Sequence, residues 1–275
     1  MAKQRHSEAL PRQGSAPLVT PCQPAQASSK KMCTHEEVKR LTEVYRTYRE
    51  CPTTRAQWDD TNPGNHAIRE EWQRVARELL TAHGWLPVTD RKILEVGCGT
   101  GKVLADMLQF GAQPDNLYGV DLLADRIAEA RQAHPDLHFE CANAEDLEFQ
   151  DASFDLVLLF TVFSSILDER MARNVASEVN RVLRPGGGIL WYDFRYNNPR
   201  NPNVRGVTRP QIGNLFPGFT MQVQTVTLLP LVARRLGRLT RAVYPVLAAI
   251  PFLRTHYVGL LVKPEKKDRL ETENT

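Results

Sequence analysis

Beyond Asp90 the chain alternates between short apolar runs and longer stretches in which apolar residues recur at helical spacing. The apolar runs predict strands at residues 92–97, 117–120, 137–142, 155–160, 188–194, 221–229 and 257–262. The stretches between them predict helices at residues 102–110, 124–133 and 169–183. Because strands alternate with helices and several strands are apolar on both faces, the pattern predicts an α/β fold with helices on both sides of a largely parallel sheet.

The residues before Asp90 follow a different pattern. Val38, Leu41 and Val44 recur at helical spacing and predict a helix over residues 36–48. A second helix is predicted to begin at an N-cap Asn65, after a cluster of turn residues, and to end near residue 83. We therefore divide the chain into a flexible tail (1–34), an N-terminal helical cap (35–90), an α/β domain (91–264) with a helical insertion (230–255), and a C-terminal flexible tail (265–275).

The composition is that of a folded globular protein, since 42% of the 275 residues are hydrophobic and 24% are charged. This composition excludes a wholly disordered chain, a collagen-like fibre and a coiled-coil rod. The net charge is +3, and residues 1–40 supply +4 through seven basic and three acidic residues, so the remainder carries about −1. A nearly neutral body does not favour a nucleic-acid partner. No apolar run is long enough to predict a membrane-spanning helix.

Five cysteines are scattered along the chain, and no two of them form a C-x-x-C pair. A chain of this length can bury its core without disulfides, so we expect reduced thiols and a cytoplasmic location. The first thirty residues contain no apolar segment of the secretory type, which favours the same location. No group of His, Cys and carboxylate residues has metal-ligand spacing, so we expect no metal.

The strongest chemical signal lies at residues 93–101, Ile-Leu-Glu-Val-Gly-Cys-Gly-Thr-Gly. An apolar strand runs directly into Gly97, Gly99 and Gly101, and a helix follows, which is the arrangement in which glycines let a backbone approach a ligand closely. The next strand ends at Asp121, 24 residues after Gly97, where a carboxylate can accept hydrogen bonds from ribose hydroxyls. The combination predicts a site for a nucleoside-containing cofactor.

These segments resemble the class I S-adenosylmethionine-dependent methyltransferases, especially their small-molecule, type 11-like subgroup. ILEVGCGTG is similar to the family's first motif, GVDLLADRIAEAR to the second, CANAEDLEF to the third, and RVLRPGGGILWYDF to its late helix, turn and fifth strand. The similarity covers about residues 92–194. It implies a Rossmann-like doubly wound sheet with an antiparallel last strand, and S-adenosylmethionine as the cofactor.

The resemblance also implies which residues contact the cofactor: Glu95, Gly97, Gly99, Gly101, Asp121, Leu122, Asn143, Ala144 and Thr161. Asp121 would bind the ribose, Leu122 would lie beside the adenine, and Glu95 would reach the amino group directly or through water. The family usually has Asp where this chain has Asn143, but an amide oxygen can still accept from the adenine amino group.

Ligands of open α/β sheets bind beyond the carboxyl ends of the strands, which nominates Asp193 as an acceptor-binding group or base. His256 qualifies if the last strand is antiparallel, as the resemblance implies. His66 qualifies because helices before the domain fold over the cofactor in this family. Asp193 can equally be a hydrogen-bonded carboxylate at a strand end, and either histidine can be a packed side chain. Other polar residues predicted at this edge are Ser164, Ser165, Arg195, Tyr196, Asn197 and Asn198.

The insertion at 230–255 has an unusual composition, because residues 231–254 contain five arginines and no acidic residue. Three interpretations stay open. The segment is a lid that walls the acceptor pocket and binds an anionic acceptor, or a peripheral membrane contact that collects a lipid-linked substrate, or a solvated basic face.

The sequence favours a methyltransferase acting on a hydroxyl of a small molecule, such as a sugar, a polyketide or a lipid-linked metabolite. It identifies neither the acceptor, nor the methylated atom, nor the oligomeric state. The alternatives are a nicotinamide-dependent Rossmann oxidoreductase, which the GxGxG spacing disfavours, and a non-catalytic S-adenosylmethionine-binding protein. Titration with adenosylhomocysteine and NAD distinguishes a methyltransferase from an oxidoreductase.

Overall fold

The computed structural model describes residues 34–57 and 59–265. The flexible tails predicted at 1–34 and 265–275 therefore lie outside the described residues, apart from Thr34 and Glu265. No helix in the described ranges combines the length and the hydropathy that are needed to cross a bilayer.

A mixed sheet of seven strands forms the centre of the described chain. Its strands are β1 (Ile93–Val96), β2 (Leu117–Asp121), β3 (His138–Cys141), β4 (Phe154–Phe160), β5 (Leu183–Phe194), β6 (Thr220–Leu228) and β7 (Arg254–Val262). Their order in space is β3-β2-β1-β4-β5-β7-β6, and β7 is antiparallel to both of its neighbours while the other pairs are parallel. The predicted doubly wound sheet with an antiparallel last strand is confirmed.

Helices cover both faces of this sheet. They are α1 (His35–Glu50), α2 (Pro52–Ala56), α3 (Pro63–Ala82), α4 (Lys102–Asp106), α5 (Ala124–Ala133), α6 (Glu169–Val182), α7 (Arg209–Leu215), α8 (Pro230–Ala233) and α9 (Thr240–Ala248), with short 3₁₀ turns at Met107–Phe110, Pro114–Asn116, Gly237–Leu239 and Pro251–Leu253. One core cluster lies between the sheet and α3, α4 and α5, and a second lies between the sheet and α1, α6 and α7.

The central strand β4 shows why the strands are apolar throughout. Leu156 and Leu158 pack into the first cluster, whereas Val157 and Leu159 pack into the second. Successive side chains of a strand point to opposite faces, so a strand with a helix layer on each side requires apolar residues at every position.

Several local predictions are wrong. The N-cap of α3 is Asn62, whose side chain accepts from the Gly64 N–H at 2.9 Å, and Pro63 occupies the first helical turn, where it needs no N–H partner. Asn65 instead donates to the carbonyls of Gln57 and Asp59.

The expectation of reduced thiols fails at Cys141, which is disulfide-bonded.

The insertion between β6 and β7 is not one continuous helix. It consists of α8, the 3₁₀ turn at Gly237–Leu239, α9 and the turn at Pro251–Leu253, and the break coincides with Gly237, whose φ is +52°. The segment packs on α3 through Ala233, Tyr244 and Ala248. Glu71 of α3 fixes it there, because one carboxylate oxygen accepts from the Thr227 N–H and from the Tyr244 hydroxyl, both at 2.7 Å.

Gly64 is expected to be essential for this packing. A Cβ at this position would overlap the carbonyl group of Ala233, so Gly64→Ala must push α8 away from α3. We expect a loss of about 1–3 kcal/mol in the free energy of unfolding, as is usual for overpacking. Gly213→Ala is the matched control, since a Cβ on this α7 residue meets only Met221 at an ordinary 3.6 Å. Equal stability of the two variants in urea titrations would contradict the prediction.

Candidate functional site

A cavity of about 1060 Å³ lies at the carboxyl ends of β1 to β4. The ends of these strands and the loops that follow them contribute Val96, Gly97, Val120, Asp121, Leu122, Leu123, Ala142, Asn143, Ala144, Phe160, Thr161 and Val162 to its lining. Helix α1 forms the opposite wall with Leu41, Tyr45, Tyr48 and Arg49. Strand order reverses between β1 and β4, and sheets of this kind bind ligands at such a reversal.

The loop after β1 exposes its backbone to this cavity. Gly97, Gly99 and Gly101 have φ values of +71°, +54° and +77°, which side chains disfavour. A Cβ on Gly101 would lie 2.6 Å from the ring of Phe139. The N–H groups of Gly97 and Cys98 both donate to the Val120 carbonyl, at 2.8 and 3.0 Å. The glycines are therefore required for the turn that joins β1 to α4 beside the cavity.

Asp121 lies at the end of β2 and is only 9% exposed. One carboxylate oxygen accepts from the Gly99 N–H at 2.8 Å, and the other accepts from the Leu123 N–H at 2.9 Å. Burial raises the pKa of this carboxyl, while the two amides and Arg126 oppose the rise. Each oxygen has a further lone pair, so the side chain can hold the glycine loop and accept from a ligand in the cavity.

The turn after β3 holds Asn143 against the cavity through Glu145. The Asn143 side-chain oxygen accepts from the Glu145 N–H at 3.1 Å, and its amide nitrogen lies 3.3 Å from the Glu145 carboxylate. Glu145 is fully buried and also accepts from Thr34 and from Asn174 of α6. It therefore joins the beginning of α1 to the sheet edge, a role that its position in the motif did not suggest.

A hydroxyl chain crosses from α1 to the end of β4. The Tyr45 hydroxyl lies 2.9 Å from the Ser165 Oγ, and the Ser165 hydroxyl donates to the Thr161 carbonyl, also at 2.9 Å. All three residues line the cavity. Since the Ser165 proton is committed to Thr161, Tyr45 donates to Ser165 and keeps an oxygen lone pair for another partner. Burial raises the pKa of Tyr45, so the phenol stays protonated at neutral pH.

Polar contacts fix α1 over the cavity. Glu37 accepts from the Leu167 N–H at 2.6 Å, and Arg40 donates to the Ser165 carbonyl at 2.6 Å. At the rim, Arg49 forms ion pairs with Asp125 and Glu129 of α5, and Lys102 at the start of α4 pairs with Asp60. Helix α1 is thus held near its beginning by the loop after β4 and near its end by α5.

The comparisons with known proteins agree with this geometry. Residues 93–187 match a family model described as a methyltransferase domain. This match and the order of the strands agree with the class I S-adenosylmethionine-dependent methyltransferase fold over that part of the chain. The match supports S-adenosylmethionine, and not a nicotinamide dinucleotide, as the cofactor.

Curated relatives and solved structures extend the comparison. The O-methyltransferase cnsE of Penicillium expansum is 32% identical over 151 residues, which are 52% of this chain and 51% of that protein. The fatty-acid O-methyltransferase of Mycolicibacterium smegmatis is 42% identical over 110 residues, 39% of each chain. The chain therefore spans about half or less of the curated relatives that it matches.

Among solved structures, the 1,6-didemethyltoxoflavin-N1-methyltransferase of Burkholderia thailandensis superposes with a TM-score of 0.56 at 19% identity. The superposition covers 87% of this chain and 94% of that chain. At this identity the similarity concerns the fold, and it extends beyond the residues that the family model matches.

The residues that line the cavity fit S-adenosylmethionine. Asp121 offers two buried acceptors for a ribose diol, and Leu122, Ala142 and Ala144 provide apolar contact for a base. Glu95 does not line the cavity. It is 2% exposed, its Oε2 has no hydrogen-bond partner in the described part of the chain, and burial raises its pKa well above the usual range. Its contact with the cofactor stays a prediction.

The structure does not bring the three catalytic candidates together, and none of them lines the cavity. Asp193 is buried and accepts from the Ser164 N–H at 3.0 Å, and burial raises its pKa to about 6. His256 is buried and stacks on Tyr192 with 4.8 Å between ring centroids. His66 is exposed beside Glu70, with 3.3 Å between Nδ1 and Oε1. Their catalytic roles stay predictions.

The resemblance implied that a helix before the domain folds over the cofactor, but it pointed to the helix that carries His66, whereas α1 forms the wall. Tyr45 lies within the helix predicted over residues 36–48, but the sequence did not identify it as a polar group beside the cavity. The only available signal was that aromatic residues on α1 exceed what a surface helix needs. Of the polar residues predicted at this edge, Ser165 lines the cavity, whereas Ser164 and the segment 195–198 do not.

His256 is expected to make the fold sensitive to acid. Burial, with Arg234 nearby, lowers its pKa to about 3. The unfolded chain therefore binds a proton near the ordinary value of about 6.5 that the folded chain excludes. The free energy of unfolding is therefore unaffected by His256 above about pH 6.5. Below that pH it falls toward pH 3, with a slope of up to about 1.4 kcal/mol per pH unit. His256→Phe should flatten this slope in urea titrations across acidic pH, and equal flattening by the control His66→Phe would contradict the assignment.

Proposed function

We propose that this protein transfers a methyl group from S-adenosylmethionine to an oxygen atom of a small, largely apolar acceptor. The main support for this proposal is one continuous cavity, with the glycine loop and Asp121 on one side and α1 on the other. Its volume of about 1060 Å³ lies at the upper end of the range for sites that enclose a drug-sized ligand. Such a volume favours an acceptor bound beside the cofactor.

The wall of the cavity formed by α1, α6 and the loop after β4 is largely apolar, and the linked hydroxyls of Tyr45 and Ser165 add a polar group to it. Leu41, Ile166, Met171 and Val175 line it together with the rings of Tyr45 and Tyr48. This lining favours an acceptor with a hydrocarbon or aromatic body. The names of the two curated relatives, an O-methyltransferase and a fatty-acid O-methyltransferase, support oxygen as the methylated atom and an apolar acceptor.

When bound, S-adenosylmethionine supplies an activated methyl group for in-line displacement, so the protein has mainly to align the acceptor and exclude water. Tyr45 can accept a hydrogen bond from an acceptor hydroxyl, because its own proton is directed to Ser165. Such a bond would orient the acceptor oxygen within the cavity. A protonated phenol cannot act as the base, and Tyr45 is therefore assigned an orienting role.

Tyr45→Phe should weaken the productive binding of the acceptor. The ring and its apolar contacts remain, while the hydrogen bond to the acceptor and the link to Ser165 are lost. We expect kcat/KM for the acceptor to fall on the order of tenfold, as for the loss of one neutral hydrogen bond, with unchanged affinity for adenosylhomocysteine. Tyr118→Phe on β2, outside the cavity, is the control. An unaltered kcat/KM in Tyr45→Phe would exclude this role.

The function itself is tested with methyl-labelled S-adenosylmethionine and a metabolite extract. We expect label to enter an organic product, together with an equal amount of adenosylhomocysteine, and mass spectrometry then identifies the acceptor and the methylated atom. Cofactor binding without label transfer in any extract would favour the non-catalytic alternative. Label transfer to nitrogen or carbon would retain the methyltransferase and exclude the proposed oxygen chemistry.

A further inference from the structure

The insertion between β6 and β7 exposes apolar side chains to solvent. Leu239, Val246 and Phe252 are 64%, 66% and 73% exposed, and they are the most exposed large apolar side chains of the described residues. All three lie within a single short segment around α9. Monomeric proteins seldom concentrate such side chains, and an exposed group of them usually marks a contact surface.

Helix α9 is apolar on its outer as well as its inner side. Thr240, Tyr244 and Ala248 are buried toward α3, which accounts for the inner side. Ala242, Pro245, Val246 and Ala249 are exposed and recur at positions i, i+3, i+4 and i+7, so they form one stripe along the opposite side. We call this stripe, together with Leu239 and Phe252, the outer face of α9. No residue from 242 to 253 carries a charge.

Basic residues border this outer face at one end. Arg235, Arg238 and Arg241 are exposed, and none of them forms an ion pair with another described residue. Residues 231–254 contain no acidic residue that could neutralise them. A surface that combines exposed apolar side chains with unpaired positive charges is complementary to an apolar layer that is bordered by negatively charged groups.

The outer face also lies at a suitable edge of the sheet. Leu228 at the end of β6 pairs with Arg254 at the beginning of β7, so the insertion emerges from the carboxyl edge of the parallel strands. The cavity opens at the same edge. None of the insertion's residues lines the cavity, so the lid interpretation gains no support from the structure, and the apolar outer face needs another explanation.

We propose that the outer face of α9, with Arg235, Arg238 and Arg241, docks on the surface of an anionic lipid bilayer. The apolar side chains enter the interface between headgroups and acyl chains, and the arginines contact lipid phosphates. A contact between two copies of the chain through the same face would bring two sets of unpaired arginines toward each other, which favours the bilayer as the occupant.

The test uses the full chain and sedimentation with vesicles. Vesicles of phosphatidylcholine alone are compared with vesicles of equal parts phosphatidylcholine and phosphatidylglycerol, at low and at high salt. One variant removes apolar contact, Val246→Asp with Phe252→Ser, and another removes charge, Arg235→Gln with Arg238→Gln and Arg241→Gln. The matched controls are Leu108→Asp and the triple change of Arg74, Arg170 and Arg173 to Gln, which alter exposed residues elsewhere.

We expect binding to the anionic vesicles, weaker binding at high salt, and little binding to phosphatidylcholine alone. Loss of three arginines should lower the partition coefficient on the order of a hundredfold, and loss of the apolar side chains should lower it by roughly tenfold or more. The controls should bind as the unaltered chain does. Affinity for adenosylhomocysteine should be unchanged in every variant, so this test is independent of the proposed function.

Three results would overturn the proposal. The first is the absence of binding to anionic vesicles at low salt. The second is vesicle binding that both insertion variants retain. Binding of this kind that is lost on deletion of residues 1–33 would assign the membrane contact to that segment. The third is a concentration-dependent dimer that Val246→Asp with Phe252→Ser abolishes while vesicle binding is absent, which would assign the outer face to a second copy of the chain.

Discussion

Replacing Asp121 by Ala is expected to abolish measurable binding of adenosylhomocysteine. The carboxylate would accept from two ribose hydroxyls, and hydrogen bonds to a charged group contribute about 1.5–3 kcal/mol each. Their loss corresponds to a drop in affinity of roughly a hundredfold or more. The structure adds a second cost, because the same oxygens hold the N–H groups of Gly99 and Leu123. Without them the glycine loop loses its anchor to β2.

Two further variants separate these contributions in calorimetric titrations. Asp121→Asn keeps one acceptor oxygen and should retain part of the loop geometry, with an affinity between those of the unaltered chain and Asp121→Ala. Glu140→Gln changes an exposed carboxylate on the neighbouring strand and should bind normally. An affinity of Asp121→Ala within about twofold of the unaltered chain would remove Asp121 from the cofactor site.

Asp193→Asn is expected to lower turnover while leaving cofactor affinity near that of the unaltered chain. Asp193 does not touch the cavity, but it accepts from the Ser164 N–H and therefore positions the turn that carries Ser165. Misplacing an acceptor-binding group by about 1 Å can cost on the order of a hundredfold in rate. We therefore expect a ten- to hundredfold loss in kcat, on the order that such a displacement produces.

The pH profile distinguishes this positioning role from a purely structural one. Burial raises the pKa of Asp193 to about 6, so turnover of the unaltered chain should fall as the pH drops through that value, and Asp193→Asn should lack this limb. The stability effect has the opposite direction. The pKa of Asp193 is higher in the folded chain than in the unfolded chain. Its contribution to the free energy of unfolding is therefore complete below about pH 4 and is lost as the pH rises through 6. Full turnover of Asp193→Asn across this range would contradict the role.

The parallel sheet could be predicted from the sequence because burial on both faces leaves an unambiguous pattern. β4 is apolar at nearly every position, and the alternation with helices permits few topologies. The glycine loop was equally clear, since positive φ values require glycine at fixed spacing. These are local requirements, and each is visible within a few residues.

The features of the site that could not be predicted from the sequence depend on contacts between distant segments of the chain. Glu145 lies within a recognised motif, yet its hydrogen-bond partners Thr34 and Asn174 are distant in the chain. Tyr45 becomes a cavity residue only because Glu37 and Arg40 fix α1 on the loop after β4. Short helices such as α7 were missed because seven residues give too little periodicity.

The insertion shows the same limit on a larger scale. Its arginines have helical spacing, but Gly237 interrupts the helix, and α8 and α9 are fixed separately against α3. The packing on α3 determines which apolar residues of the insertion face outward, and the sequence pattern alone does not show this. That no residue of the insertion lines the cavity is likewise visible only in the structure.

The most direct test of the central claim is a crystal structure of the full chain with adenosylhomocysteine. We predict the ribose hydroxyls within hydrogen-bond distance of the Asp121 carboxylate, the adenine beside Leu122 and Asn143, and the sulfur facing the space between Thr161 and Tyr45. A ligand bound elsewhere, or a cavity that remains empty at saturating adenosylhomocysteine, would contradict the assignment of this cavity to methyl transfer.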